Sequence, residues 1–268
     1  MRLVYEGKVE WEARAGTKCR ACLDHLGLYG GPGAGHEYLS PLYDLHDEGG
    51  ILIVLYDQVG CGRSTHSRDK LGDESFWTFD LFIGELDNLI DHLKLRRTGF
   101  SLFGRSWGGM LARVSAARRS RGLKKLILAS APASFPLYSE GCRNLLVKLP
   151  ENVRKTIEEC ERPGGFESSE FQQALAVDIQ AGFAHPTEDP TSYLTMYSGP
   201  LEFTITEFLK GRSIGDDARE IEIDTLLLNS VLDEAQDLCI GKWFTGIPRV
   251  KWKRGKAISL CRHFLVNC

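Results

Sequence analysis

The chain has 268 residues, 43% hydrophobic and 26% charged, with 33 basic against 36 acidic side chains for a net charge of −3. That length and composition suit one large α/β domain, or a domain carrying an insertion, with a sizeable core. The near balance of charge gives no footprint for nucleic acid or a membrane surface. No apolar run reaches membrane-spanning length and the first thirty residues lack a continuous apolar leader segment, so the expected location is cytoplasmic. Eight cysteines without framework spacing read as reduced thiols, and no second Cys or His pair completes a zinc site with Cys19-x-x-Cys22.

Taken in order, Lys8 to Ala15 alternates loosely and predicts an edge strand, with Cys19 to Leu28 a weaker second one. Tyr29-Gly30-Gly31-Pro32-Gly33-Ala34-Gly35 follows, a turn suited to close backbone approach and without the spacing of a nucleotide phosphate loop. Tyr38 to Leu45 reads as helical. Ile51-Leu52-Ile53-Val54-Leu55-Tyr56 is an unbroken apolar run, the pattern of a strand covered on both faces. It ends in the polar turn Asp57-Gln58-Val59-Gly60-Cys61-Gly62-Arg63-Ser64. Phe79, Phe82, Ile83, Leu86, Leu89, Ile90 and Leu93 then recur at helical spacing, with Asp80, Glu85, Asp87 and Asp91 opposite.

The next strand, Gly99 to Phe103, runs into Gly104-Arg105-Ser106-Trp107-Gly108-Gly109, and good helix formers follow from Met110 to Ala117. A strand that turns through a serine into a helix is a nucleophile elbow. Glycines at both flanking positions remove Cβ atoms from the tight turn, leaving the Ser106 hydroxyl exposed at the strand's end. The backbone N–H of Trp107, at the helix start, is placed to hold an oxyanion. Lys124 to Ser130 is another strand, and strands alternating with helices predict a parallel, doubly wound sheet. From about Pro132 the rhythm changes to helical stretches (Gly141 to Leu149, Glu151 to Cys160, Ser168 to Ile179), read as a helical cap. The sheet resumes with Asp224 to Asn229 and its turn Ser230-Val231-Leu232-Asp233-Glu234, and a final strand includes Arg249 to Trp252. The expected division is residues 1–133 for the first part of the core, 134–215 for the cap and 216–268 for the second part.

These motifs, in this order, resemble the proline iminopeptidases, serine aminopeptidases of the α/β-hydrolase fold. The similarity runs from about Tyr29 to Trp252 and is greatest to the branch with tricorn-interacting aminopeptidases and amino-acid amidases. The resemblance implies a mostly parallel central sheet with a helical cap insertion. It implies that Ser106 attacks an amide or ester carbonyl, that Asp233 orients a histidine base, and that Gly31 and Trp107 supply the oxyanion N–H groups. Glu202 and Glu234 sit where similar enzymes anchor the substrate's free ammonium group, which sets how far the scissile bond lies from the chain end. The implied substrate is a short peptide or amino-acid amide, with no metal or organic cofactor.

Three features depart from that family's pattern. Tyr29 stands where the family has histidine, the stretch between Ala176 and Tyr193 is shorter, and after Trp252 the similarity stops. There the family continues into a loop carrying the catalytic histidine and then a closing helix, whereas here Ser259 falls at the histidine's place. His263 is the only histidine after Asp233 and is the candidate base; the extended chain from Trp252 to it reaches about 35 Å. His36, beside the glycine-rich turn, is the nearest alternative, with local packing or capping its ordinary reading. Residues 253–268 are expected to be a tail foreign to the domain, with the closing helix missing. Two other readings fit the same scaffold: a catalytically impaired α/β-hydrolase-fold protein, and an esterase, lactonase or amidase of secondary metabolism.

Overall fold

The apolar run that ends at Tyr56 does become a strand, covered on both faces. The structure is a computed structural model and describes residues 11–14, 24–30, 35–160, 215–230, 233 and 235–255. Among these the strands are β1 (Trp11–Arg14), β2 (Asp24–Leu28), β3 (Ile53–Tyr56), β4 (Phe100–Arg105), β5 (Leu123–Ala129), β6 (Asp224–Ser230) and β7 (Val250–Gly255). They form one sheet in the order β1-β3-β2-β4-β5-β6-β7. β1 runs antiparallel to β3, and the other six are parallel to one another. Successive side chains go to opposite faces of the sheet. Val54, Leu102, Leu126 and Leu227 face one core cluster, while Ile53, Phe103, Ile127 and Leu228 face the other. Both faces are buried, so the central strands carry no polar alternation.

The first face is covered by α2 (Phe79–His92), α4 (Trp107–Ala117) and α7 (Asp237–Gly246). The Thr78 side chain caps α2, accepting the Leu81 N–H at 3.2 Å. The second face packs against a 3-10 helix (His36–Tyr43) and α1 (Asp44–Gly49) through Leu39, Leu42, Tyr43 and Leu45. The sequence suggests a helix from Tyr38 to Leu45. Pro41 brings no N–H donor, and the stretch winds as 3-10 before the α-helix begins. A short α3 (Leu95–Thr98) leads into β4, and α5 (Phe135–Leu146) and α6 (Glu151–Cys160) follow β5. α5 starts six residues before the expected Gly141, because Pro136 opens its first turn and Gly141 is tolerated inside it. The third expected cap helix lies outside the described residues.

One element and one residue escape periodicity. α7 (DLCIGKWFTG) contains two glycines and weak helix formers, yet Cys239, Ile240 and Trp243 are buried against the sheet's core. Glu85, expected on the polar side of α2, is 1% exposed. Its Oε1 accepts the Val59 N–H at 2.7 Å, which draws it under the turn that follows β3.

Candidate active site

β4 ends at Arg105, α4 starts at Trp107, and Ser106 between them has φ 49° and ψ −118°. A serine avoids that backbone region, so the turn must be imposed by its surroundings. Two close approaches impose it. A Cβ on Gly108 would sit 2.2 Å from the Leu28 carbonyl oxygen and 2.5 Å from that of Tyr29. A Cβ on Gly104 would lie 2.4 Å from the Gly108 carbonyl oxygen. Only glycine at both places lets strand, helix and the exit of β2 meet so closely. The Ser106 N–H donates to the Ala129 carbonyl at 2.9 Å, and the Ser106 carbonyl accepts the Met110 N–H at 3.1 Å. Ser106 itself stays half-buried while Trp107 is fully buried, stacked on Phe79 at 5.1 Å and edge-on to Phe82 at 5.5 Å.

Asp233 lies just beyond the end of β6 and is 4% exposed. Its Oδ1 accepts the Ala235 N–H at 2.9 Å, and its Oδ2 accepts the Ser130 hydroxyl. Ser130 follows the last residue of β5 and also has positive φ, 48°, with its N–H donating to the Leu228 carbonyl at 2.8 Å. Ser106 and Asp233 therefore stand at the carboxyl ends of β4 and β6, with only β5 between them. Two strand spacings are about 9–10 Å, room for one imidazole to bridge a hydroxyl and a carboxylate. This is the end of the sheet where open α/β folds bind ligands. His263, Gly31, Glu202 and Glu234 lie outside the described residues.

The turn after β3 forms a polar knot beside the elbow. Asp57 is fully buried and accepts the His36 N–H at 3.0 Å, the Arg63 N–H at 3.0 Å and a bond from His36 Nδ1 at 2.8 Å. Burial pushes this carboxyl up, but the His36 and Arg63 bonds outweigh it and hold the group below its ordinary value. His36 is thereby bound to Asp57, with Arg63 Nη2 at 3.4 Å from its Nε2, as local packing required. Glu85 moves the other way: desolvation raises its carboxyl to about 8, with the Val59 N–H opposing and Asp57 adding to the rise. Gln58 accepts the Trp107 indole N–H at 3.0 Å. Sequence reasoning assigned no role to Ser130, Gln58 or Glu85, although Gln58 stands inside a motif it singled out.

A glycine-flanked serine at a strand–helix turn, with an aspartate two strands along, is the arrangement of the α/β hydrolases. The chain belongs to that family: the family described as alpha/beta hydrolase fold matches residues 26–191. Within it, the chain is a relative of the proline iminopeptidases. The proline iminopeptidase of Lactobacillus delbrueckii subsp. lactis is 30% identical over 239 residues, covering 84% of this chain and 80% of that protein. The solved proline iminopeptidase of Mycobacterium smegmatis superposes with a TM-score of 0.81 at 28% identity, covering 97% of this chain and 90% of that one. The crystal structure of VinJ superposes with a TM-score of 0.84 at 30% identity, covering 93% and 87%.

Proposed function

We propose that this protein is a serine hydrolase that releases an N-terminal residue, proline or another small apolar one, from short peptides or amino-acid amides. The observation that carries the reading is Ser106 at φ 49°, presented at the tip of β4 by a turn that two glycines make possible. Ser106 attacks the scissile carbonyl, and the proton passes to the base, which we assign to His263, a histidine that follows Ser106 and Asp233 in the order the resemblance implies. Asp233, fixed by Ser130 and Ala235, orients that imidazole and balances its charge once protonated. The N–H groups of Trp107 and Gly31 take the oxyanion of the tetrahedral intermediate. Collapse expels the leaving amine, which takes the proton from the histidine, and water hydrolyses the acyl-enzyme by the same steps in reverse. Glu202 and Glu234 bind the substrate's free ammonium.

The test compares the wild type with Ser106→Ala and His263→Ala for turnover of a prolyl or alanyl p-nitroanilide and for covalent labelling by a fluorophosphonate. The expected result is turnover and labelling in the wild type, loss of both in Ser106→Ala, and a folded protein throughout. Unchanged turnover in Ser106→Ala would sink the assignment. A wild type that cleaves simple esters but no aminoacyl amide supports the esterase reading instead.

A further inference from the structure

Gln58 is 0% exposed and belongs to none of the catalytic roles above. It follows Asp57 at the exit of β3, a strand that contributes no nucleophile, acid or oxyanion donor. Its side-chain Oε1 accepts the indole N–H of Trp107 at 3.0 Å, and its backbone N–H donates to the phenolic oxygen of Tyr29. Trp107 is the first residue of α4 and one assigned oxyanion donor. Tyr29 is fully buried and stands two residues before Gly31, the other assigned donor. One residue in the turn after β3 thus holds both Trp107 at the start of α4 and Tyr29 at the exit of β2. The next residue, Val59, is held in turn by Glu85 of α2 at 2.7 Å, which fixes the turn that carries Gln58.

We propose that Gln58 is a positioning residue of the oxyanion hole, acting through the Trp107 indole. The inference rests on the serine-hydrolase reading. An oxyanion donor contributes only when held within about half an ångström of its place, and a helix's first residue has no preceding turn to hold it. The indole, stacked on Phe79, edge-on to Phe82 and bonded to Gln58, supplies the missing anchor. Loosening it shifts the Trp107 N–H, which matters when negative charge develops on the carbonyl oxygen and little before. The effect therefore falls on kcat rather than KM.

The experiment measures kcat and KM of the full chain for a prolyl p-nitroanilide, per active site titrated to completion with a fluorophosphonate. The variants are Gln58→Leu, which keeps size and removes the acceptor, Trp107→Phe, which keeps an aromatic ring and the backbone N–H but removes the indole donor, and the two combined. Each single variant is expected to lower kcat about tenfold, less than outright loss of a donor, with KM within about threefold. The double variant is expected to be no worse than the poorer single one, since both break the same bond. A Gln58→Leu kcat within about twofold of wild type overturns the proposal and leaves the hydrolase reading standing, as do losses that multiply in the double variant. If Gln58→Leu does not fold, Trp107→Phe alone decides by the same thresholds. A wild type with neither turnover nor labelling overturns the hydrolase reading, and this proposal with it.

Discussion

A serine at φ 49° and ψ −118° carries backbone strain of about 1–3 kcal/mol, which alanine at the same position retains and glycine relieves. Glycine also frees the unfolded chain, at a cost of about 0.5–1 kcal/mol. Both Ser106→Ala and Ser106→Gly should be inactive, and Ser106→Gly should be the more stable of the two by about 1 kcal/mol in urea unfolding. A glycine variant less stable than the alanine one would mean that the turn is not strained. The proposed ammonium anchor is also a residue-scale matter. Replacing Glu202 or Glu234 with Gln should lower kcat/KM for free-amine substrates about ten- to a hundredfold and spare N-acetylated ones, a charge-assisted bond being worth about 1.5–3 kcal/mol. Equal losses on both would remove that role. Ser106 was legible in the sequence because its neighbours must be glycine for a geometric reason, and Asp233 because it follows a strand in a recognisable order. Ser130 and Gln58 were not. Each is a polar residue at a strand's exit, and it gains a partner only when strands far apart in sequence are brought side by side.

On α2 a single carboxyl links the helix to the turn after β3, and its protonation gives the element a pH dependence. Glu85 has an ordinary value of 4.5 and is raised to about 8 in the folded protein by burial. Between those pH values the folded state holds a proton that the unfolded state has released. Stability therefore falls as pH rises through that window, with a slope of up to about 1.4 kcal/mol per pH unit, and this contribution is fully present below 4.5. Glu85→Gln keeps an oxygen for the Val59 N–H and carries no titrating group. Urea unfolding at pH 5 and pH 8 should show the two proteins close together at the lower value and the variant clearly more stable at the higher. A gap that does not change with pH would contradict the account. Periodicity had put Glu85 on the solvated side of α2, since a helical wheel cannot register a turn from another strand descending onto it. The same limit hid α7: its letters favour no helix, and what makes it one is the core that Ile240 and Trp243 enter. β3 was legible because a strand buried on both faces is apolar throughout, and β5 by its buried apolar half, Leu126 to Ala129, which follows the exposed Lys124 and Lys125.

At the scale of the whole molecule, α7 ties together segments that the chain separates widely. Trp243 is fully buried, and its indole N–H donates to the Ala131 carbonyl at 2.7 Å, across 112 residues. The Arg113 guanidinium of α4 lies 5.6 Å from its ring, and the Ala133 N–H donates to the Cys239 carbonyl at 3.1 Å. α7 also packs on α5 and against Ala218, so it joins the exit of β5 to the segment that leads into β6. Such long-range contacts are costly to close in the unfolded chain and form together or not at all, so both parts of the sheet should melt as one unit. Trp243→Ala removes a large core side chain and strands the Ala131 carbonyl, for a loss of about 3–5 kcal/mol. In a protein of this size each kcal/mol lowers the melting temperature by about 2–4 °C, which predicts a fall of roughly 10 °C. Trp243→Phe keeps an aromatic ring against Arg113 and loses the hydrogen bond and part of the buried volume, so its fall should be smaller than that of Trp243→Ala. Calorimetry on the three proteins decides the matter: the expected result is a single transition in each, ordered wild type, Trp243→Phe, Trp243→Ala. A Trp243→Ala protein that melts within about 2 °C of wild type, or a wild type that already melts in two separate transitions, would show that the two parts of the core do not depend on α7 to hold together.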